Sequence, residues 1–280
     1  MKSVIASAVL GAAALVNAAS IPHGHAHAHT HARRASIDVQ KRAPINFMSA
    51  ADVSRLADVK DSLWNAASSI MEGKNIAADA DSEAPIAVGG KGPFLVEFKN
   101  ESPEDIILVA WSDLNKTNPW DAANVKTCAP DVTHTLRSNT TTTISYNPNV
   151  VASKKISGGW AGIYADTTVQ NGFVYNTWGE ATFRTDNAFS TTDVSRLPNM
   201  NGNDMEIYNY AKQGDDEPAC ESTMTKCSFI CPPGQDKCTE GGTIQDCPVG
   251  AAGNTASADK KDGGCGGLTQ TGGFIKVSFF

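Results

Sequence analysis

Phe94-Leu-Val-Glu-Phe-Lys-Asn-Glu-Ser-Pro-Glu-Asp-Ile-Ile-Leu-Val-Ala-Trp111 sets two apolar runs either side of a polar, turn-forming segment. The first run alternates with period two and the second is short, β-branched and continuous. Both are strand signatures, and Asn100 to Glu104 carries the Asn, Ser and Pro chemistry of a turn. Moving toward the C-terminus, the same short period returns in Val132–Leu136, Thr140–Tyr146, Trp160–Tyr164, Gly172–Asn176, Ala181–Phe183, Met205–Tyr208 and Phe274–Phe279. Many short strands separated by turn residues make a mainly β sandwich or barrel, and no internal repeat divides it.

Toward the N-terminus the period changes. Val53, Leu56, Val59, Leu63, Ala67 and Ile70 recur at three- and four-residue steps. Ser49 or Asp52 can cap this run and Gly73 can stop it, so a short helix is expected over residues 49–71. The Ala-, Asp-, Ser-, Pro- and Gly-rich stretch 75–92 reads as a linker, which makes 43–92 a helix-and-linker segment ahead of the β domain.

The first 42 residues read as processing signals. Met1-Lys2, the apolar run Val4–Val16 and the small-x-small Val16-Asn17-Ala18 form a signal peptide over residues 1–18. The run is too short to cross a bilayer as a helix, so no membrane insertion is expected. Residues 19–42 then read as a His-rich propeptide ending at the dibasic pair Lys41-Arg42. Its His23, His25, His27, His29 and His31 would line one side of an extended chain. That suits copper or zinc, or a solvated segment that gains charge as the secretory lumen acidifies. No metal site is expected in the mature chain. Five of the 23 basic residues and one of the 30 acidic ones precede Ala43. The mature chain therefore carries 18 against 29, a formal charge of −11, which excludes a basic nucleic-acid surface.

Seven cysteines fall in the mature part: Cys128 alone, then Cys220, Cys227, Cys231, Cys238, Cys247 and Cys265 close together. In an oxidising compartment the six read as a disulfide cluster with 15 conceivable pairings. Zinc is the weaker reading, because C-x2-C pairs are absent and no histidine is nearby. Three N-glycosylation sequons start at Asn100, Asn115 and Asn139, each in a turn-like stretch. Secretion to the extracellular space or cell wall is the expected destination.

Phe94–Asn100 with Ile107–Trp111, then Gly158–Tyr164, Thr177–Phe183, Thr192–Ser195 and Met205–Ile207 together resemble the thaumatin-like proteins, in particular their secreted fungal antigen and effector-like group. The first pair looks like that family's opening hairpin, and the spacing from Glu180 to Asp193 is similar to its own. The resemblance spans residues 93–280 and implies a thaumatin-like β-sandwich with a disulfide-rich loop region over 220–265. It also implies an acidic cleft lined by Glu180 and Asp193 that meets β-glucan. The sequence departs from the family where a further acidic residue is expected, at Pro198, and in its smaller number of cysteines.

Chemically, two carboxylates in a cleft accept hydrogen bonds from sugar hydroxyls. With one pKa raised, and at the right separation, they could also serve as acid and base in glycoside hydrolysis. Trp178 and Trp160 could offer stacking faces, although tryptophans in strands are usually core. The remaining histidine, His134, shares a strand face with Val132 and Leu136 and reads as a packing residue. No nucleophile elbow or phosphate-binding loop is present, and no cofactor is expected. The sequence thus favours a secreted binding module for cell-wall polysaccharide or a host surface component over its two alternatives. These are a weak β-1,3-glucanase using Glu180 and Asp193, and an effector or antigen acting through a protein partner.

Overall fold

In the computed structural model, residues 84–89, 91–114, 116, 119–125, 130–186, 189–238, 241–247 and 263–280 are described. The signal peptide, propeptide and helix read above, together with Asn115 and Cys128, lie outside them. The described part is mainly β. Its strands, in chain order, are β1 (Ile86–Val88), β2 (Phe94–Asn100), β3 (Ile106–Ser112), β4 (Val132–Leu136), β5 (Thr141–Tyr146), β6 (Lys155–Ile163), β7 (Thr168–Gln170) and β8 (Phe173–Tyr175). They continue with β9 (Trp178–Arg184), β10 (Thr191–Ser195), β11 (Met205–Tyr210), β12 (Cys220–Ser222), β13 (Ser228–Ile230), β14 (Thr243–Gln245) and β15 (Gly273–Phe279). One helical turn, Pro119–Ala122, interrupts the series.

Two open sheets result. A six-stranded sheet runs β1-β5-β2-β15-β11-β12 and a seven-stranded one runs β14-β13-β10-β9-β6-β3-β4. Alternation turns Phe94, Val96 and Phe98 of the first sheet, and Leu108, Trp160 and Phe183 of the second, into one shared core. Phe94 stacks on Phe183 at 5.1 Å and Phe98 meets Trp160 edge-on at 5.3 Å, so aromatic contacts join the sheets directly. The C-terminal strand β15 is central, parallel to β2 and antiparallel to β11. β7 and β8 form a separate hairpin whose turn, Asn171-Gly172, holds φ values of 55° and 90°, as a two-residue turn with both residues left-handed requires.

The structure corrects the reading of the opening segment. β2 and β3 do not pair. β2 lies between β5 and β15, while β3 lies between β4 and β6, so the chain crosses from one sheet to the other at residues 100–105. Asn100 makes the corner. It is fully buried, and its side-chain nitrogen donates to the carbonyls of Glu104 (2.8 Å) and Leu136 (2.9 Å). Its side-chain oxygen accepts from the backbone N–H and the hydroxyl of Ser102. These bonds fill both donors and both lone pairs of the amide. The Asn100 sequon therefore has no free nitrogen for a glycan, whereas Asn139, exposed in the turn between β4 and β5, keeps an accessible side chain.

The stretch read as a linker also carries structure. Ile86–Val88 pairs with Tyr146–Ile144 as the edge of the six-stranded sheet. Its three residues lie between Pro85 and Gly89, too short for a period to show. The cysteine-rich stretch likewise contributes strands to both sheets: β12 borders the six-stranded one and β13–β14 extend the seven-stranded one. Its six cysteines form Cys220–Cys265, Cys227–Cys247 and Cys231–Cys238. Three of these sulfurs, from Cys220, Cys227 and Cys265, lie close enough together to suggest a metal group, but all three are taken up in disulfide bonds.

Candidate functional site

The face of the seven-stranded sheet turned away from the shared core is built on glycine. On β6, a Cβ at Gly159 would stand 2.5 Å from the Gly179 carbonyl and 3.0 Å from the Trp111 ring, and its absence lets Trp111 lie across β6 on this outer face. Gly158, on the inner face, would place one 2.0 Å from the Trp111 carbonyl. Gly179 likewise makes room on the inner face, where its Cβ would fall 2.1 Å from Trp160 Nε1. Trp111 then meets Trp178 edge-on at 5.1 Å in a second apolar cluster with Val109, Ala161, Val125 and Val174.

Both tryptophans offered as stacking faces are therefore interior. Trp160 is 1% exposed within the shared core. Trp178 is 4% exposed, donates its indole N–H to the Val174 carbonyl and belongs to the outer cluster. Neither presents a face to a sugar ring, because sheet packing covers the rings on both sides. His134 sits half-buried on β4, opposite Leu108, and burial lowers its pKa, in keeping with a packing role.

Glu180 and Asp193 are brought together. The β9–β10 register places them directly opposite each other, and the β6–β9 register places Gly159 opposite Glu180. One row across the outer face therefore reads Asp193, Glu180, Gly159, Trp111. Asp193 is 5% exposed and Glu180 is partly so. Each keeps one buried carboxyl oxygen, Oε1 of Glu180 and Oδ1 of Asp193, that no N–H or hydroxyl group of the described residues reaches. Their direct opposition lets the two carboxyls hydrogen-bond to each other once one is protonated. Two carboxyl groups can do so only by holding a proton between them, since two bare carboxylates have no donor.

The electrostatics agree with that geometry. Burial raises the Glu180 pKa to about 8, against a smaller opposing effect of its hydrogen bond with Asp193. Burial, the neighbouring Glu180 charge and the hydrogen bond to Glu180 raise Asp193 well above the usual carboxylate range. The pair therefore titrates as one unit and stays protonated at pH values where ordinary carboxyls have ionised. Arg184 on β9 and Lys155 on β6 are paired with Asp186 and Asp113, and Arg196, just past β10, donates to the carbonyls of Met200 and Met224.

Sequence reasoning missed the backing of this site. Gly264 packs on Asp193: a Cβ there would lie 3.4 Å from Asp193 Oδ2 and 2.7 Å from the Thr192 carbonyl, at a φ of 149°. Cys265 exchanges two backbone hydrogen bonds with Thr192 (2.8 and 2.9 Å). Asn209 joins them, accepting from the Thr192 hydroxyl and donating to the carbonyls of Cys265 and Gly266. The glycine run 263–267 does shape turns around a disulfide, with positive φ at Gly263, Gly264 and Gly267. Its packing onto Asp193 had no local signal beyond those glycines.

No curated protein matches the chain. The sequence model of the Allergen Asp f 4-like domain, a fungal allergen family, matches residues 89–263. That span is more than half of the chain and includes the whole seven-stranded sheet, the six-stranded sheet except β1 and β15, the carboxyl pair and five of the six disulfide cysteines. Taken with the mainly β, disulfide-bonded structure, it shows that the chain belongs to the Allergen Asp f 4-like domain family.

Proposed function

We propose that this protein is a secreted, disulfide-stapled binding module with a thaumatin-like fold that takes cell-wall polysaccharide, β-1,3-glucan first, at Glu180 and Asp193. The observation that carries the reading is the cross-strand pairing of these carboxyls on the outer face of the seven-stranded sheet. Holding one proton, the pair offers a donor and acceptors side by side, which is the complement of a sugar hydroxyl. The order of the sequence motifs and the two-sheet core support the thaumatin-like reading. The disulfides, the N-terminal leader and the accessible Asn139 sequon support secretion.

Hydrolysis by this pair would need its two carboxyls roughly 5 Å or more apart with room for a sugar or a water between them. Their burial and direct cross-strand opposition favour binding over glucanase activity.

The test is retention of the purified mature chain on insoluble β-1,3-glucan, chitin and cellulose at pH 5. Selective retention on glucan, reduced at least tenfold in Glu180→Ala and Asp193→Ala, is the expected result. Absence of retention on all three would overturn the reading and turn the search to protein partners.

A further inference from the structure

Three sulfurs from two different bridges stand together. Cys220 on β12 is bonded to Cys265, and Cys227, the residue before β13, is bonded to Cys247. Yet the sulfurs of Cys220, Cys227 and Cys265 all lie within 4.8 Å of one another. That leaves no room for another atom between Cys227 and the bridge to which it does not belong. Access and strain set these cysteines apart. Cys220 is partly exposed on an edge strand of the six-stranded sheet, and it follows the exposed residues Asp216, Glu217 and Ala219. Cys227, Cys247 and Cys265 are buried. Cys227 holds a φ of 48°, and Asp246, next to Cys247, holds 43°. This left-handed region crowds the Cβ of an L residue.

We propose that Cys220 is a modification site for small thiols and that its modification is passed inward, exchanging the Cys220–Cys265 and Cys227–Cys247 bridges for a Cys227–Cys265 bridge and a free thiol at Cys247. The exchange needs no carbohydrate and stands apart from the binding reading above.

The bonds balance at each step. The thiolate of the small molecule attacks the sulfur of Cys220, the most exposed of the four residues. A new S–S bond forms there, the Cys220–Cys265 bond breaks, and Cys265 leaves as a thiolate. That buried thiolate has the Cys227 sulfur beside it. It attacks there, the Cys227–Cys265 bond forms, and Cys247 leaves with the electron pair and takes up the proton that the small thiol gave up. Two S–S bonds exist before and after, so no oxidant or reductant is consumed. Opening the Cys227–Cys247 bond also unties two points of the chain that lie at left-handed backbone. The exchange moves a covalent tie from between the sheets to within one. Cys220–Cys265 joins the six-stranded sheet to the residue bridged to Thr192 on β10, whereas Cys227–Cys265 joins two points on the seven-stranded side.

The test uses the purified, folded chain, its pre-existing thiols blocked beforehand with iodoacetamide. It is incubated at about pH 8 with mercaptoethanol, a neutral thiol that the acidic residues before Cys220 do not repel. The mixture is quenched with N-ethylmaleimide and acid and digested with trypsin without reduction. Trypsin separates the cysteines as 213–226 (Cys220), 227–237 (Cys227 and Cys231), 238–260 (Cys238 and Cys247) and 262–276 (Cys265). Before treatment, 213–226 is joined to 262–276. Afterwards, 213–226 is expected unlinked with the mercaptoethanol adduct on Cys220, and 262–276 joined to 227–237. Maleimide should be about tenfold more abundant on Cys247 than on Cys265. Maleimide mainly on Cys265 with the Cys227–Cys247 bridge intact overturns the proposal. So does an adduct that appears first on another cysteine, or none until the chain is unfolded. Glucan retention plays no part in this readout, so the two readings fail separately.

Discussion

Asn100 and Asp193 are both buried polar residues on strands, yet they are built in opposite ways. Asn100, fully buried, has every donor and acceptor of its amide matched by groups of the corner it makes. Asp193, 5% exposed, faces another carboxyl and keeps an oxygen that no N–H or hydroxyl of the described residues reaches. Burying a satisfied polar group specifies architecture, while burying an unsatisfied acid stores a sensitivity to protons.

The largest effect expected in testing this contrast comes from the bridge behind Asp193. Replacing both Cys220 and Cys265 by serine opens a 45-residue separation. It should cost about 4 kcal/mol by chain entropy, read as the loss of urea midpoint at constant slope. Asn100→Ala comes next. It removes four hydrogen bonds at the corner, leaving only the one from the Ser102 hydroxyl to the Glu104 carbonyl, and should cost about 3 kcal/mol at any pH. A loss under 1 kcal/mol would mean that the corner does not depend on its amide.

The pH dependence is smaller per step and has a definite sign. Glu180 binds its proton more tightly folded (about 8) than at its ordinary value of 4.5, so the folded state holds the extra proton between these limits. Stability is full below about pH 4.5 and falls as pH rises toward 8, by up to roughly 1.4 kcal/mol per unit. Thermal melts of wild type should show this slope and Glu180→Gln should flatten it. A wild-type chain that is more stable at pH 8 than at pH 5 would break the comparison. The smallest effect concerns the sequons. Asn139→Gln should remove one glycan's mass with a stability change within about 0.5 kcal/mol, since the residue is exposed. Asn100→Gln should remove no glycan while destabilising the fold.

Long alternating strands were legible in advance. Phe94–Phe98, Val132–Leu136 and Phe274–Phe279 stand where their period put them, because a half-buried strand must repeat every two residues. β10 was not read as a strand. Thr191–Ser195 is mostly polar, and its burial is made tolerable by distant partners such as Asn209 and the Ser222 hydroxyl that receives the Val194 N–H. The start of β6 was hidden by Gly158-Gly159, residues that weaken a strand in isolation and are required here by the close approach of Trp111. The acidic pair was named through its thirteen-residue spacing, but its contact was not. The tryptophans were named for rings that packing then covered.

By itself, the sequence determined that this is a β protein with a disulfide-tied C-terminal region, because side-chain period and cysteine content act locally and survive in any arrangement. Which strand pairs with which was decided only by the tertiary structure. Any strand edge offers the same hydrogen bonds, and the choice among edges is made by what each pairing buries. The β2–β3 run became a corner between sheets instead of a hairpin for that reason. The same register decided the site: one residue of slip between β9 and β10 would turn Asp193 away from Glu180 and leave no shared proton at all.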